Sequence, residues 1–184
     1  MTIPPVSRTP NYLAGYPPSL LAQVQPLIDD GSLGERLARR YPEAHTVRSD
    51  GALYEHVQAL KARHMRSSPP LAKVAYDSAL QRIHQALGTH TTAARVQGGQ
   101  LKAKREIRVA AVFKEAPAAF LQMIVVHELA HLKERAHDKA FYALCCHMAP
   151  DYHQLEFDFR LWMTLRERPA SAALSGQVSG PLSP

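Results

Sequence analysis

The 184-residue sequence holds only two cysteines, Cys145 and Cys146, and they are neighbours in the chain. Adjacent residues rarely reach disulfide geometry without strain, so both read as reduced thiols, which suits a reducing compartment. No apolar run approaches the about 20 residues that cross a bilayer, which argues against a membrane partner. Residues 1–20 lack a basic stretch leading into a continuous apolar segment, so they do not read as a secretory leader. These absences together predict a cytoplasmic protein. There is no internal repeat. There is also no zinc ribbon and no basic tract interleaved with aromatics, which argues against nucleic acid as the partner.

What is present is the composition of a globular protein, 46% hydrophobic and 21% charged, with enough apolar material for a real core. The length fits one compact domain with tails better than two domains. Fourteen prolines are many, but they cluster, with Pro4, Pro5, Pro10, Pro17 and Pro18 at one end and Pro169, Pro181 and Pro184 at the other. Residues 1–18 therefore read as an irregular Pro-rich arm, 19–168 as a single domain, and 169–184 as a disordered tail. The formal net charge of +6 is compatible with an anionic substrate and too mild to imply nucleic acid.

The first half reads as helical. Ser19 is expected to cap a helix to about Ile28, stopped by Asp30-Gly31; a second spans about Leu33–Arg40, and a third about Gly51–Met65. The stripe of Val74, Leu80, Ile83 and Leu87 predicts a fourth from Leu71 to Leu87. The texture then turns to β-branched residues. Thr91–Val96 and Leu101–Phe113, separated by Gly98-Gly99, predict a small antiparallel sheet with Ile107 and Val109 facing inward. Glu115-Ala116-Pro117 opens a helix carrying Phe120, Met123, Ile124 and Val125. Asp138 caps another to about Met148, and Asp151 with Gln154 starts a last one bearing Leu155, Phe159, Trp162 and Leu165. Helices, a small sheet, then helices make an α+β fold, mostly helical.

The segment Val125-Val126-His127-Glu128-Leu129-Ala130-His131 carries the chemistry. Positions i and i+4 of a helix lie one above the other, so two imidazoles there can hold one small tetrahedral cation. Zinc favours nitrogen ligands and acidifies its bound water, and Glu128 is placed to take that water's proton. A third ligand is needed. His137 lies six residues beyond His131, past a helix end near Lys133-Glu134, and a turn of that length can present it to the metal. The alternative is a histidine-rich but inert helix; against it, the apolar run Ile124-Val125-Val126 would bury the pair where imidazoles are hard to satisfy without a metal.

At these residues the sequence resembles the YgjP-like metallopeptidase-domain family. The likeness runs from about Tyr12 to Thr164 through Tyr12-Leu-Ala-Gly-Tyr-Pro, Arg95-Val-Gln-Gly-Gly-Gln-Leu-Lys-Ala-Lys, Glu106-Ile-Arg-Val-Ala, Met123 to Lys133, Lys139-Ala-Phe-Tyr and His153-Gln-Leu-Glu-Phe-Asp. It implies a zincin-like fold, the motif helix beneath a small sheet, and metal ligands at His127, His131 and His137. The wider family often carries Trp-Gly-Ser-Cys where this chain has Val96-Gln97-Gly98-Gly99. Metzincin proteases share the histidine spacing but have glycine at the place of Glu134, so the turn is expected to differ here.

Around this centre, Lys102, Lys104 and Arg108, with Arg105, are either a phosphate-binding rim or an ordinary exposed strand face. Tyr142 and His153 are either hydrogen-bond donors to a charged intermediate or structural. His147 beside the two cysteines is either part of a second soft metal site or a lone polar residue next to buried thiols. His45, His56, His64, His84 and His90 show no paired spacing. Three functions remain open, the first ranked ahead, the second nearly level with it and the third behind both. A zinc metallopeptidase would bind an extended peptide at the sheet edge. A nucleoside triphosphate pyrophosphatase, converting UTP to UMP and pyrophosphate, is an activity associated with one branch of the resembled family and suits the basic hairpin. A non-enzymatic adaptor would use the metal only as a staple. Manganese or magnesium in place of zinc stays open as well.

Overall fold

The computed structural model describes residues 11–82 and 105–167. Six helices and two strands occupy them: α1 (Pro18–Asp29), α2 (Leu33–Arg40), α3 (Asp50–His64), β1 (Lys73–Asp77), β2 (Glu106–Ala110), α4 (Ala118–Ala130), α5 (Lys139–Met148) and α6 (Tyr152–Glu167). Short 3-10 turns follow each strand, at Ala79–Arg82 and Ala111–Lys114. The class is α+β, as expected.

Side-chain caps open two of the six helices. Ser49 accepts a hydrogen bond from Ala52 N at 3.2 Å and opens α3. Asp138 does the same for α5, accepting from Ala140 N at 3.0 Å and Phe141 N at 3.1 Å. The expected cap at Ser19 does not form. Pro17 takes the cap position without a side-chain bond, and Pro18 begins α1, where a missing N–H costs nothing.

The sheet differs from the expected antiparallel hairpin: β1 and β2 are parallel, in register from Lys73 opposite Glu106 to Asp77 opposite Ala110. The helix expected over Leu71–Leu87 instead begins as β1. Val74-Ala75-Tyr76 is too short for periodicity to tell strand from helix, and its branched and aromatic residues pack well on a pleated surface. Within β2 the expected alternation holds, with Ile107 and Val109 buried and Glu106 and Arg108 outward. The other expected strand, Thr91–Val96, and the Gly98-Gly99 turn lie outside the described residues. Parallel strands need a connection of a dozen residues or more, and the sequence between Asp77 and Glu106 is long enough for one.

Helix α3 covers β1, while α4 packs against β2, α3, α5 and α6. Nine of the 13 residues of α4 are buried, so it runs through the core with Gln122 left exposed. Phe159 of α6 meets Phe113 at 4.5 Å and Phe120 at 5.7 Å between ring centres. A second cluster of Val24, Ile28, Leu33 and Leu37 with Phe157 and Leu161 fastens α1 and α2 to α6. Tyr12, in the stretch read as an arm, is buried in the main core and hydrogen-bonds Glu167. Polar groups buried on α6 are paired: Arg160 with Glu156 at 2.8 Å, and Asp158 with the Tyr41 hydroxyl at 2.7 Å. Among the described residues, no helix is long and apolar enough to cross a membrane.

Candidate metal centre

Because most of α4 is buried, its last turn delivers His127 into the interior, only 5% exposed. The helix ends at Ala130 with His131 in the cap position. Lys133 N and Glu134 N both reach back to the Ala130 carbonyl, at 3.0 and 2.9 Å, and turn the chain sharply. Asp138 pins the far side of that turn by capping α5, which holds His137 next to it. The three imidazoles converge. Their Nε2 atoms lie 3.2 Å apart for His127–His131, 3.2 Å for His127–His137 and 2.9 Å for His131–His137.

These separations fit a shared ion. Nitrogens bound tetrahedrally at 2.0–2.1 Å stand roughly 3.3 Å from one another. The outward nitrogens agree: His131 Nδ1 donates to the Glu134 carbonyl at 3.0 Å, and His127 Nδ1 meets the Tyr152 hydroxyl at 2.6 Å. Each contact leaves Nε2 bare when the proton sits on Nδ1. Three bare lone pairs at this distance repel unless a cation lies among them. Desolvation, then the neighbouring His131 and His137, holds the His127 pKa well below its ordinary value, so that ring stays neutral, as a ligand must be. Among the described residues this is the one grouping of three or more potential ligands.

Phe141, in the first turn of α5, lies against all three rings, 4.9 Å from His127 and 4.6 Å from both His131 and His137. Glu128 is half-buried and stands apart from the converging nitrogens, as suits a proton acceptor rather than a ligand. Desolvation pushes its carboxyl up to about 7. A divalent cation close by would favour the anion and oppose that shift. Asp138→Ala is expected to cost about 1 kcal/mol of stability through the lost cap, and to weaken metal uptake by freeing His137. Denaturant unfolding and a metal titration check the two parts separately.

Other candidates divide. Tyr142, half-buried, sits beside the cluster with its ring 6.3 Å from that of His137, and the exposed His153 lies 5.1 Å from Tyr142. Arg108 points outward from β2 and is paired with Asp77 at 3.1 Å and Glu106 at 3.3 Å. Its charge is compensated locally, which favours the strand-face reading. Lys102 and Lys104 lie outside the described residues. The thiols are free, and burial pushes Cys145 up to about 12, a protonated and inert group. His147 is exposed and faces His64 at 6.0 Å, so among the described residues no second site forms with the cysteines. His45 is structural, bonding the Phe113 carbonyl at 2.9 Å.

Sequence reasoning missed three contributors: Tyr152, Phe141 and the Glu134 carbonyl. Tyr152 is the first residue of α6. Nothing in the local pattern ties it to a histidine 25 positions earlier.

Comparisons with known proteins give the family. A family model described as "YgjP-like, metallopeptidase domain" matches residues 44–160, from the segment before α3 into α6. The chain belongs to the YgjP-like family. It is 60% identical over 153 residues to the Escherichia coli (strain K12) protein named UTP pyrophosphatase, a span of 83% of this chain and 92% of that relative. No solved structure matches. Membership and relative together make this chain a metal-dependent hydrolase.

Proposed function

We propose that the chain is a zinc-dependent nucleoside triphosphate pyrophosphatase that acts on UTP, with His127, His131 and His137 as metal ligands and Glu128 as general base. The observation that carries this reading is the 60% identity to a protein named UTP pyrophosphatase, extending over nearly all of that relative. The net charge of +6 suits a polyanionic substrate.

The reaction breaks the bond between the α-phosphorus and the bridging oxygen, with water as nucleophile and pyrophosphate as leaving group. A bound divalent cation supplies Lewis acidity here, polarising a phosphoryl oxygen and making nearby water a stronger acid. Glu128 takes the proton that water gives up, which requires its carboxylate form. Phe141 and the packed end of α4 exclude solvent beneath the imidazoles, so the rings keep their geometry. Lys102 and Lys104 are proposed to meet the triphosphate, and Tyr142 and His153 to donate hydrogen bonds near the reacting group.

Peptide hydrolysis is the second reading, favoured by the family's description as a metallopeptidase domain and by the H-E-x-x-H helix. One experiment separates the two. A purified sample of measured metal content is given the four nucleoside triphosphates and a casein-type peptide pool. Pyrophosphate and UMP from UTP, with little peptide cleavage, is the expected result. Peptide cleavage without nucleotide turnover would transfer the assignment to a metallopeptidase.

A further inference from the structure

We infer that Tyr152 is a positioning residue of this centre: its hydroxyl holds the buried His127 ring with the proton on Nδ1, leaving Nε2 bare toward His131 and His137. The inference rests on the ligand role proposed for His127.

The three imidazoles are not held alike. His131, at the helix end, finds a backbone carbonyl nearby, that of Glu134. His127 lies one turn deeper, where its ring is buried and helix carbonyls are taken by the helix's own bonds. Its Nδ1 therefore needs a partner from elsewhere. The partner arrives from the first turn of α6, 2.6 Å away and with no solvent exposure. With the ring proton on Nδ1, a lone pair of the Tyr152 hydroxyl accepts it. The two rings lie nearly parallel, 23° apart with centres at 6.3 Å, so the bond runs between ring edges.

The partner is also chemically particular. Metal-bound histidines commonly donate to a carboxylate or a backbone carbonyl, and a carboxylate raises ligand basicity. A neutral hydroxyl accepts the same bond without adding negative charge. It fixes ring and tautomer while leaving the cation's charge undiminished for polarising substrate. Without that acceptor, the His127 proton gains nothing by sitting on Nδ1, and the other tautomer places a proton where the ion belongs.

The test is Tyr152→Phe, which keeps the ring and removes only the hydroxyl. Zinc affinity, read by competition with a chromophoric chelator, should fall by about 10- to 100-fold. Nitrogen-15 imidazole spectra of the metal-free proteins at mildly alkaline pH provide the second readout. Wild type should show His127 protonated on Nδ1. The variant should shift His127 toward Nε2–H while His131, held by Glu134, stays unchanged. A tyrosine that merely fills the core would leave affinity and tautomer alone once circular dichroism shows the variant folded, and that result overturns the inference. If the variant does not fold, the wild-type spectrum still decides, because Nε2–H at His127 refutes the claim. Wild-type protein that takes up no zinc defeats the metal centre itself, a failure distinct from a wrong tautomer.

Discussion

Glu128→Gln is expected to lower turnover by about 10²- to 10⁴-fold, the usual contribution of a positioned general base. Glutamine has nearly the same shape and cannot accept a proton from water at neutral pH. The carboxylate stands outside the nitrogen cluster, so the three imidazoles should hold metal as before. Desolvation around this carboxyl disfavours its charge, so the neutral amide should not cost the fold much. Initial rates and bound metal, measured on one preparation of each protein, read both halves. Full activity in the variant would remove Glu128 from the mechanism. Loss of metal together with activity would make it a structural part of the site instead. An adaptor that uses metal only as a staple predicts binding to its partner without any effect of this change.

Phe141→Ala should be the most damaging change outside the ligands. The ring is fully buried and lies against all three imidazoles. Removing a buried phenylalanine side chain typically costs about 3–5 kcal/mol, part of it the cavity left behind. Here that cavity would open directly under the metal ligands, so zinc affinity should drop along with stability. Phe141→Leu refills most of the volume and should recover much of both. Denaturant unfolding of the metal-free proteins gives the first quantity and chelator competition the second. If Phe141→Ala loses its stability but binds zinc as tightly as wild type, the ring supports only the core.

The likeness to the YgjP-like family and the geometry of the cluster meet at the same residues. The pairing of His127 with His131 was legible because i and i+4 spacing is a property of a single helix turn. Asp138 as a cap was legible for a similar reason, since the bond reaches only two or three residues ahead. The period-2 burial of β2 was visible in Glu106-Ile107-Arg108-Val109. The direction of its partner was not. A strand's own residues do not say which distant segment pairs with it, and the parallel partner β1 begins more than 30 residues earlier in the chain. The stripe Val74, Leu80, Ile83 and Leu87 misled at its start, where Val74 lies in β1 and Leu80 in the 3-10 turn after it, while Ile83 and Leu87 lie outside the described residues.

By itself, the chain's order of residues established an α+β fold, a helix bearing two imidazoles on one face, and a third histidine within reach across a short turn. These follow from bonds and spacings within about a dozen residues, which local geometry governs. Packing alone decided that β1 runs parallel to β2, that Phe141 lies under the three rings, that Arg108 is paired with Asp77, and that Tyr152 of α6 meets His127 of α4. Each of those contacts joins elements that share no local pattern. They exist because burying apolar faces forces particular helices and strands together, and only then do their polar atoms find one another.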